Sequence, residues 1–482
     1  MTATPADPVE TTDPVPVETT GSVLGETADL MPVETADPLP GEGAHSASGS
    51  APVSARTASP GEGAAGSPGP AASGGLGRRF WSLFASSTVS NLGDGIGRVA
   101  LPLLAVTLTR DPVLVAALSS LTFLPWVLFA IVSGALVDRL DRRKAMVVAE
   151  FTRAVVVGLL AAAVLTGQAA MWMLFVAAFA LGAIETIYDN AVHSLLPAVV
   201  RRDQLEKANG RVEAAAVVTD GFLGAPVGSA LFVVAAAIPF MANSVGFLLA
   251  GVLLFLLPGR YRAEAVSDRP ANLRREIGEG VRWLWNHKAL RGITLIGTLS
   301  AGMNQAAMAV LVLFVVDVLR LPAAAFGWFA LASGAGGVAG GLVAPVLVRR
   351  WPRAAVMAVA MTVSGAGFTL AGLFPSTAML AIVSTLVGGS LLVWNVLIMS
   401  VRQTLIPAHL FGRVLGVIRT LLWGLIPVGA LGGGLLAGAF GLRTVFVISG
   451  CVMLALMVPL CLVLWRYRAL LNTLGGSRTV DT

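Results

Sequence analysis

Apolar runs of about 20 residues recur along most of this chain, each long enough as a helix to cross a hydrocarbon core of roughly 30 Å. Short charged segments separate them. The bilayer offers the backbone no hydrogen-bond partners, so each crossing must satisfy its own peptide groups as a helix. Only 12% of the 482 residues are charged, about half the share in an ordinary soluble protein. The sequence therefore predicts an all-α membrane protein.

The predicted crossings number twelve and form two sets of six. They begin near Phe80, Pro112, Ala145, Ala170, Gly210, Pro239, Leu290, Ala323, Ala354, Thr377, Arg413 and Thr444. The stretch "GALVDRLDRR" from Gly134 matches "GLVAPVLVRR" from Gly341, and "LLPA" from Leu195 matches "LIPA" from Leu405. Such a repeat predicts two pseudo-symmetric six-helix bundles, with a substrate site near the membrane midplane between them.

The connecting segments alternate between two kinds, long and basic or short and neutral. The basic set and the C-terminal end contain 27 Lys or Arg residues, and the short set contains three. Cytoplasmic loops carry the excess of Lys and Arg. We therefore expect a multi-pass protein of the cell membrane with both termini in the cytoplasm. Topology accounts for the basic loops, so no nucleic-acid partner is predicted.

Changes in composition predict the domain boundaries. Residues 1–77 contain ten acidic residues and a single Arg56 in a Pro/Thr/Gly/Ser-rich background, which predicts a disordered acidic cytoplasmic tail. The first bundle is predicted over 78–257 and a basic cytoplasmic linker over 258–289. The second bundle follows over 290–468, and a cytoplasmic tail over 469–482 ends the chain.

Few residues are suited to cofactor or catalytic chemistry. Cys451 and Cys461 lie ten residues apart in one predicted helix, about 15 Å, which is too far for a disulfide. We found no Cys/His metal cluster, no ATP-binding motif and no Ser/His/Asp grouping in the sequence. The prediction is a monomer that is not an enzyme, without a metal or cofactor.

Several motifs resemble those of one transporter family. Gly134, Leu136, Asp138, Arg139, Arg142 and Arg143 resemble the loop 2–3 signature G-x-L-x-D-R-x-G-R-R of the major facilitator superfamily, with Asp141 in place of its Gly. "SNLGDGIGRVALPLLA" from Ser90 and "LIPAHLFGRVLG" from Leu405 are similar to the branch of enterobactin and macrolide exporters. Gly224, Pro226 and Gly228 resemble the fifth-helix motif of proton-driven antiporters.

The resemblance implies a gating latch at the cytoplasmic end. Asp138 would meet the positive N-terminal end of the eleventh crossing near Gly412 when that end closes. Arg142 would pair with Asp189 on the fourth crossing, and Arg139 and Arg143 belong to the same signature. The alternative is a cluster of charges that only sets topology, which fits the arginines better than Asp138 because acidic residues contribute little to orientation.

A charged residue at the bilayer centre costs roughly 2.5–3.5 kcal/mol on insertion scales, so each one needs an explanation. Asp94 and Arg98 lie four residues apart on the first crossing and can face each other. Asp94 is interpreted either as a proton-binding carboxylate or as half of a static ion pair. Glu185 and Asp189 share one face of the fourth crossing and would titrate as a pair. Glu185 is a candidate for proton or substrate contact.

Two acidic residues of the fifth crossing, and four amides, complete the candidates. Asp220 is a second candidate proton site, whereas Glu213 lies nearer the cytoplasm and would pair with a loop arginine. Asn243, Asn304, Gln305 and Asn395 lie within crossings. They would contact the substrate or bridge neighbouring helices.

The predicted function is proton-coupled antiport of a small amphipathic compound, such as a drug, antibiotic, siderophore or secondary metabolite. Its partners would be that substrate, protons and the lipid bilayer. Alternatives are a facilitator or importer of a small nutrient with the same fold and, less well supported by the motifs, a membrane-embedded enzyme.

Overall fold

The computed structural model describes residues 76–259, 261 and 273–467, and the side chains of 130–132, 134–136, 138–139, 202 and 273–274 are outside it. Thirteen helices make up almost all of the described part. They are α1 (Gly77–Leu108), α2 (Pro112–Arg139), α3 (Arg142–Leu165), α4 (Met171–Val199), α5 (Leu205–Val234), α6 (Ile238–Phe255), α7 (Leu273–Asn286), α8 (Lys288–Ala309, then Leu311–Val318 after a 41° bend), α9 (Ala325–Arg350), α10 (Arg353–Leu373), α11 (Thr377–Leu405), α12 (Phe411–Phe440) and α13 (Leu442–Arg466).

Most of these helices are long and apolar enough to cross a membrane. Ten of the described helices are long and apolar enough to cross a membrane by themselves. The two parts of the bent α8, taken together, give an eleventh. The first helix is 32 residues long, but it is not among them, since Ser, Asn, Asp and Arg residues interrupt its apolar surface. The all-helical membrane fold is confirmed, and twelve crossings stay a prediction. Every predicted start lies within five residues of an observed one.

The two bundles pair their helices in the same way. In the first bundle α2 packs on α4, α3 on α6, and α1 on both α5 and α6. In the second, α9 packs on α11, α10 on α13, and α8 on both α12 and α13. These pairs correspond when α1–α6 are matched to α8–α13, so the structure repeats as the sequence does. The short amphipathic α7 is the extra helix, in the described part of the predicted linker.

The two bundles meet through α2 against α12 and through α5 against α9. Gly434 lies directly against Ala116 and Pro112. The rings of Trp126 and Trp423 stack at 4.9 Å between centroids. These contacts lie near the middle of the helices or toward the end opposite the basic loops.

That opposite end also carries an ion pair between the bundles. Nη1 of Arg110, in the turn after α1, lies 3.1 Å from Oδ1 of Asp317 at the end of α8. At the basic end, in contrast, a Cβ at Gly412 or Gly416 of α12 would meet no described atom within 4 Å. The described contacts between the bundles therefore lie at the middle and at the end opposite the basic loops, whereas the start of α12 packs against α7, where Arg413 pairs with Glu279.

Candidate functional site

A cavity of about 350 Å³ lies between the bundles, and the first bundle forms its polar wall. The charged residues in this wall are Asp94 and Arg98 of α1, Glu185 of α4 and Asp220 of α5. Gln305, Met308, Phe326 and Ala330 of α8 and α9 close the other side. The wall thus brings together four charged residues from three separate helices.

Asp94 pairs with an arginine from another helix. The sequence predicted that Asp94 and Arg98 would face each other, but Oδ1 of Asp94 accepts a hydrogen bond from Nη2 of Arg153 on α3. Arg153 also donates from Nη1 to Oγ of Ser90 at 3.1 Å, and its side chain is 1% exposed. Four-residue spacing places two side chains on one face of a helix, but the charges on the neighbouring helices decide their partners.

Arg98 instead joins the carboxylates of α4 and α5. Its Nη1 lies 2.5 Å from Oδ2 of Asp220, and its Nη2 lies 3.7 Å from Oε1 of Glu185. About half of the Arg98 side chain is exposed, and about a fifth of each carboxylate. The three groups therefore all reach the cavity.

Irregular backbone in α5 presents Asp220 to the cavity. Residues Val217–Leu223 form a π-helical turn, in which the N–H of Gly224 bonds to the carbonyl of Thr219. Such turns occur frequently at functional sites. Pro226 follows and donates no N–H to the helix. A Cβ at Gly224 would overlap the backbone of Gly95, so this glycine lets α1 and α5 touch one turn after Asp220.

The same crossing continues with Gly228, which lies against the backbone of Ile96. Two of the three residues of the fifth-helix motif, Gly224 and Gly228, thus line the contact between α5 and α1. Ser229, next in the chain, lies against Gly327 of α9. The motif is therefore at a helix crossing next to the contact between the bundles.

Glu150 of α3 is a site residue that the sequence analysis missed. It is 0% exposed, and its Oε1 lies 3.8 Å from Nη1 of Arg153. Neither carboxylate oxygen has a hydrogen-bond partner among the described residues. A glutamate and an arginine three residues apart in a predicted crossing were the available signal, because such pairs in membrane helices mark functional sites.

The amides divide between the two bundles. Asn243 of α6 lines the central cavity and contacts Gly93 and Gly97 of α1. Asn304, Gln305 and Asn395 line a second cavity of about 240 Å³ in the second bundle.

Shared residues connect this cavity to its neighbours. Gln305 also lines the central cavity, and Asn395 lines a third, largely apolar cavity of about 460 Å³. Trp394 and Ser300 add polar groups to the second cavity. An amphipathic molecule would therefore find charged groups on one side and amides and apolar surface on the other.

The arginines of the loop signature contact their own bundle. Arg142 donates from Nη1 to the carbonyl of Ser194 at 2.9 Å and forms no ion pair with Asp189 in this structure. Asp189 lies instead within electrostatic reach of His193 and Arg153. The Arg142–Asp189 pair of the latch stays a prediction, because in this structure Nη1 of Arg142 binds an α4 carbonyl and its Nε has no partner among the described residues.

Two further residues of the signature stabilise helix ends. Arg143 donates to the carbonyls of Leu254 and Phe255 in the last turn of α6, and to that of Gly259 just beyond it. Asp141, at the position of the family's Gly, accepts the N–H of Lys144 at 3.2 Å and caps α3. Side-chain oxygens at such positions satisfy N–H groups that the helix leaves unpaired.

Some candidates lie elsewhere or outside the described residues. Glu213 is exposed near the basic end of α5 and does not line the cavity. Gly134, Asp138 and Arg139 lie within α2, but their side chains are outside the described part, so the latch itself stays a prediction. Residues 1–75 and 468–482 of the predicted tails, and much of the linker, are also outside it.

Two known proteins with a similar sequence are efflux proteins. Multidrug efflux pump Tap of Mycobacterium tuberculosis is 28% identical over 397 residues, which cover 80% of this chain and 91% of Tap. Macrolide efflux protein A of Streptococcus pyogenes is 22% identical over 384 residues, which cover 79% of this chain and 94% of that protein.

A solved structure and a family model agree with these relatives. The nucleoside transporter NupG has the same fold, with a TM-score of 0.64 at 14% identity over 80% of this chain and 99% of NupG. The family model of the Major Facilitator Superfamily matches residues 83–428. With its two matching six-helix bundles and the cavity between them, the chain belongs to the Major Facilitator Superfamily.

Proposed function

We propose that this protein is a proton-coupled antiporter that exports small amphipathic compounds from the cytoplasm by alternating access. The observation that carries the proposal is the central cavity, in which Asp94, Glu185 and Asp220 face an apolar and amide-lined wall of the second bundle. Carboxylates that reach a shared cavity can bind either protons or cargo. Proton binding at these residues would then bias the balance between the two open states.

Membership of the family makes the protein a multi-pass membrane transporter and not an enzyme. Its efflux relatives favour export over import of a nutrient. The excess of Lys and Arg in one set of loops favours a cell-membrane protein with that end in the cytoplasm. The named contacts between the bundles lie at the middle and at the opposite end, which supports an inward-facing state. In the opposite state Asp138 would engage the N-terminal end of α12, completing the latch.

Transport in vesicles tests the coupling. Purified protein in proteoliposomes is given ethidium, radiolabelled erythromycin and a wider compound panel under an imposed pH gradient. A gradient of one pH unit supports roughly tenfold accumulation per coupled proton. We expect the wild type to accumulate at least one probe in response to the gradient.

The combined variant Asp94→Asn, Glu185→Gln and Asp220→Asn is the matched comparison, and it should lose gradient-driven accumulation. Accumulation by the wild type that ignores the gradient would remove the antiport proposal. An unchanged response in the combined variant would show that these carboxylates do not couple the proton.

The Arg110–Asp317 pair gives a second prediction, about the balance between the two states. The Arg110 side chain is 57% exposed, so we expect less than about 1 kcal/mol of stability from the pair. Because it joins the bundles only at the end opposite the basic loops, Arg110→Asp should favour the state open there by roughly fivefold. Spin labels at Gln168→Cys and Thr377→Cys, with Cys451 and Cys461 replaced, report the separation of the bundles.

The charge-swapped variant Arg110→Asp with Asp317→Arg is the control, and it should restore the wild-type distance distribution. High salt should reproduce the single variant, because salt screens an exposed pair. Equal distributions in the wild type and the single variant would contradict the prediction.

A further inference from the structure

The carboxyl group of Glu150 is buried behind the cavity. It shares its neighbouring cation, Arg153, with Asp94. Neither of its oxygens has hydrogen-bond geometry with a described residue, although the hydroxyls of Ser90 and Tyr188 lie close to it. The charge nearest to it is Nη1 of Arg153, at 3.8 Å. That nitrogen already donates to Ser90, and Nη2 of the same arginine pairs with Asp94. Two carboxyl groups on opposite sides therefore compete for one guanidinium.

Among the described residues, Arg153 is the cation within ion-pair distance of Glu150. The groups facing it are Asp94 and Ser90 from α1, Tyr188 from α4, and Arg153 from its own helix. On the α6 side, a Cβ added at Gly251 would lie 3.3 Å from the Cβ of Glu150. Helix α6 has no ionisable residue along its length. The residues of α2 that precede Asp138 are not ionisable either.

This environment determines which of the two carboxyl groups carries a proton. An ionised carboxylate buried without a full partner costs several kcal/mol, so such a group takes up a proton instead. With Arg153 paired to Asp94, Glu150 is the better placed of the two carboxyl groups to hold a proton. Asp94 is 18% exposed on the cavity side, whereas Glu150 has no exposed surface, so cargo can reach only Asp94.

We propose that Glu150 stores the coupling proton behind the cavity, where it exchanges the proton with Asp94 through Ser90. This inference rests on the proposed proton-coupled transport and adds a residue to it. Ser90 is suited to the relay because it lies four residues before Asp94 on the same face of α1. Its oxygen accepts from Arg153, which leaves its hydroxyl proton free to donate.

One proton moves from Asp94 to Glu150 through the hydroxyl of Ser90. A proton from cavity water forms an O–H bond on Asp94. Ser90 accepts that proton and donates its own to Glu150, so the O–H bond on Asp94 breaks and one forms on Glu150. Arg153 remains a guanidinium throughout and pairs with whichever carboxylate is ionised. Release runs in reverse, and the proton returns to the cavity through Asp94.

Storing the proton at Glu150 separates it from the cargo. Asp94 is ionised again once the proton has moved, and it is paired with Arg153 rather than neutralised. The cavity wall can then meet cargo while the protein still carries its proton. A single carboxylate could not do both, since proton and cargo would compete for the same oxygens.

The test compares Glu150→Gln with Glu150→Asp, using Glu206→Gln on the exposed surface as the control. Exchange of labelled erythromycin or ethidium without a gradient gives each variant its own baseline, and Glu150→Gln is then measured in the proteoliposomes under the gradient. It should lose gradient-driven accumulation, and the pH profile of its transport should become flat. Glu150→Asp should regain part of the pH dependence, and Glu206→Gln should keep all of it. A wild-type pH profile in Glu150→Gln would overturn the proposal.

Infrared difference spectroscopy of the purified protein gives a readout that needs no transported compound. At neutral pH we expect a carboxylic-acid C=O band that Glu150→Gln lacks. Asp94→Asn frees Arg153 for Glu150, so this variant should also lose the band through ionisation of Glu150. A band unchanged in both variants would refute the proton store, even if every compound fails to be transported and the proposed function itself falls.

Discussion

Replacing Arg153 by methionine is expected to destabilise the protein by about 3–5 kcal/mol, the cost of removing one partner of a buried ion pair, and to abolish transport. The guanidinium is enclosed at 1% exposure between Asp94 and Glu150, and it lies 4.2 Å from the centroid of the Phe247 ring. Methionine fills similar space but leaves the carboxyl groups without their cation. Reversible unfolding in mixed detergent micelles measures the loss.

Two comparisons separate charge from packing in this prediction. The loss should shrink as the pH falls, because protonated carboxyl groups no longer require the guanidinium. Adding Asp94→Asn and Glu150→Gln to Arg153→Met should recover most of the stability, since a neutral, well-packed set can replace a buried ion cluster. A single variant within about 1 kcal/mol of the wild type, well below the expected penalty, would show that Arg153 is not the counter-ion.

Replacing Gly224 by leucine is expected to have the second large effect, the separation of α1 from α5. Even one added carbon at Gly224 would overlap the backbone of Gly95, and overpacking of this kind costs about 1–3 kcal/mol or more. The displaced α5 would carry Asp220 away from Arg98, so transport should be lost together with stability. Thermal unfolding in detergent and the vesicle assay measure the two losses.

The same helix offers a matched control for this variant. Gly210 has no described atom within 4 Å of its Cβ position, so Gly210→Ala should keep transport and gain a few tenths of a kcal/mol or more from helix propensity. Gly224→Ala tests the close approach with the smallest side chain. If Gly224→Ala behaves like Gly210→Ala, the contact between α1 and α5 does not control the site.

The surplus of carboxyl groups gives these predictions a common physical basis. Arg98 and Arg153 are the cations of the buried polar cluster, and Asp94, Glu150, Glu185 and Asp220 are its carboxyl groups. Full ionisation would leave uncompensated charge in a low-dielectric region, which is costly. The cluster is therefore suited to carrying protons in one state and exchanging them in another.

Much of the fold follows from local sequence features. Length and apolarity predict the crossings because a helix of about 20 apolar residues spans the hydrocarbon core of the bilayer. The motif repeat between Gly134 and Gly341 predicts two equivalent bundles, and the structure pairs their helices equivalently. The first crossing was found although its helix is not apolar enough to qualify as a crossing by composition, because the motif around Asp94 marks it.

The pairing of charges could not be predicted in the same way. Asp94 and Arg98 have the spacing of an ion pair, yet each finds its partner on a different helix. Glu150 was overlooked because a carboxyl group near a helix end looks solvated in sequence, whereas α1, α4 and α6 enclose it. Arg143 resembles part of a gate but reaches the end of α6 in its own bundle.

The sequence by itself determined the membrane class, the twofold repeat and the family, because hydrophobicity, loop charge and motif order are properties of short segments. Only the tertiary structure decided which carboxyl group shares which arginine and which of them reaches the cavity. These relations depend on how helices far apart in sequence cross. Small residues such as Gly95 and Gly224 allow that close approach, and the burial it produces sets the cost of every charge in the site.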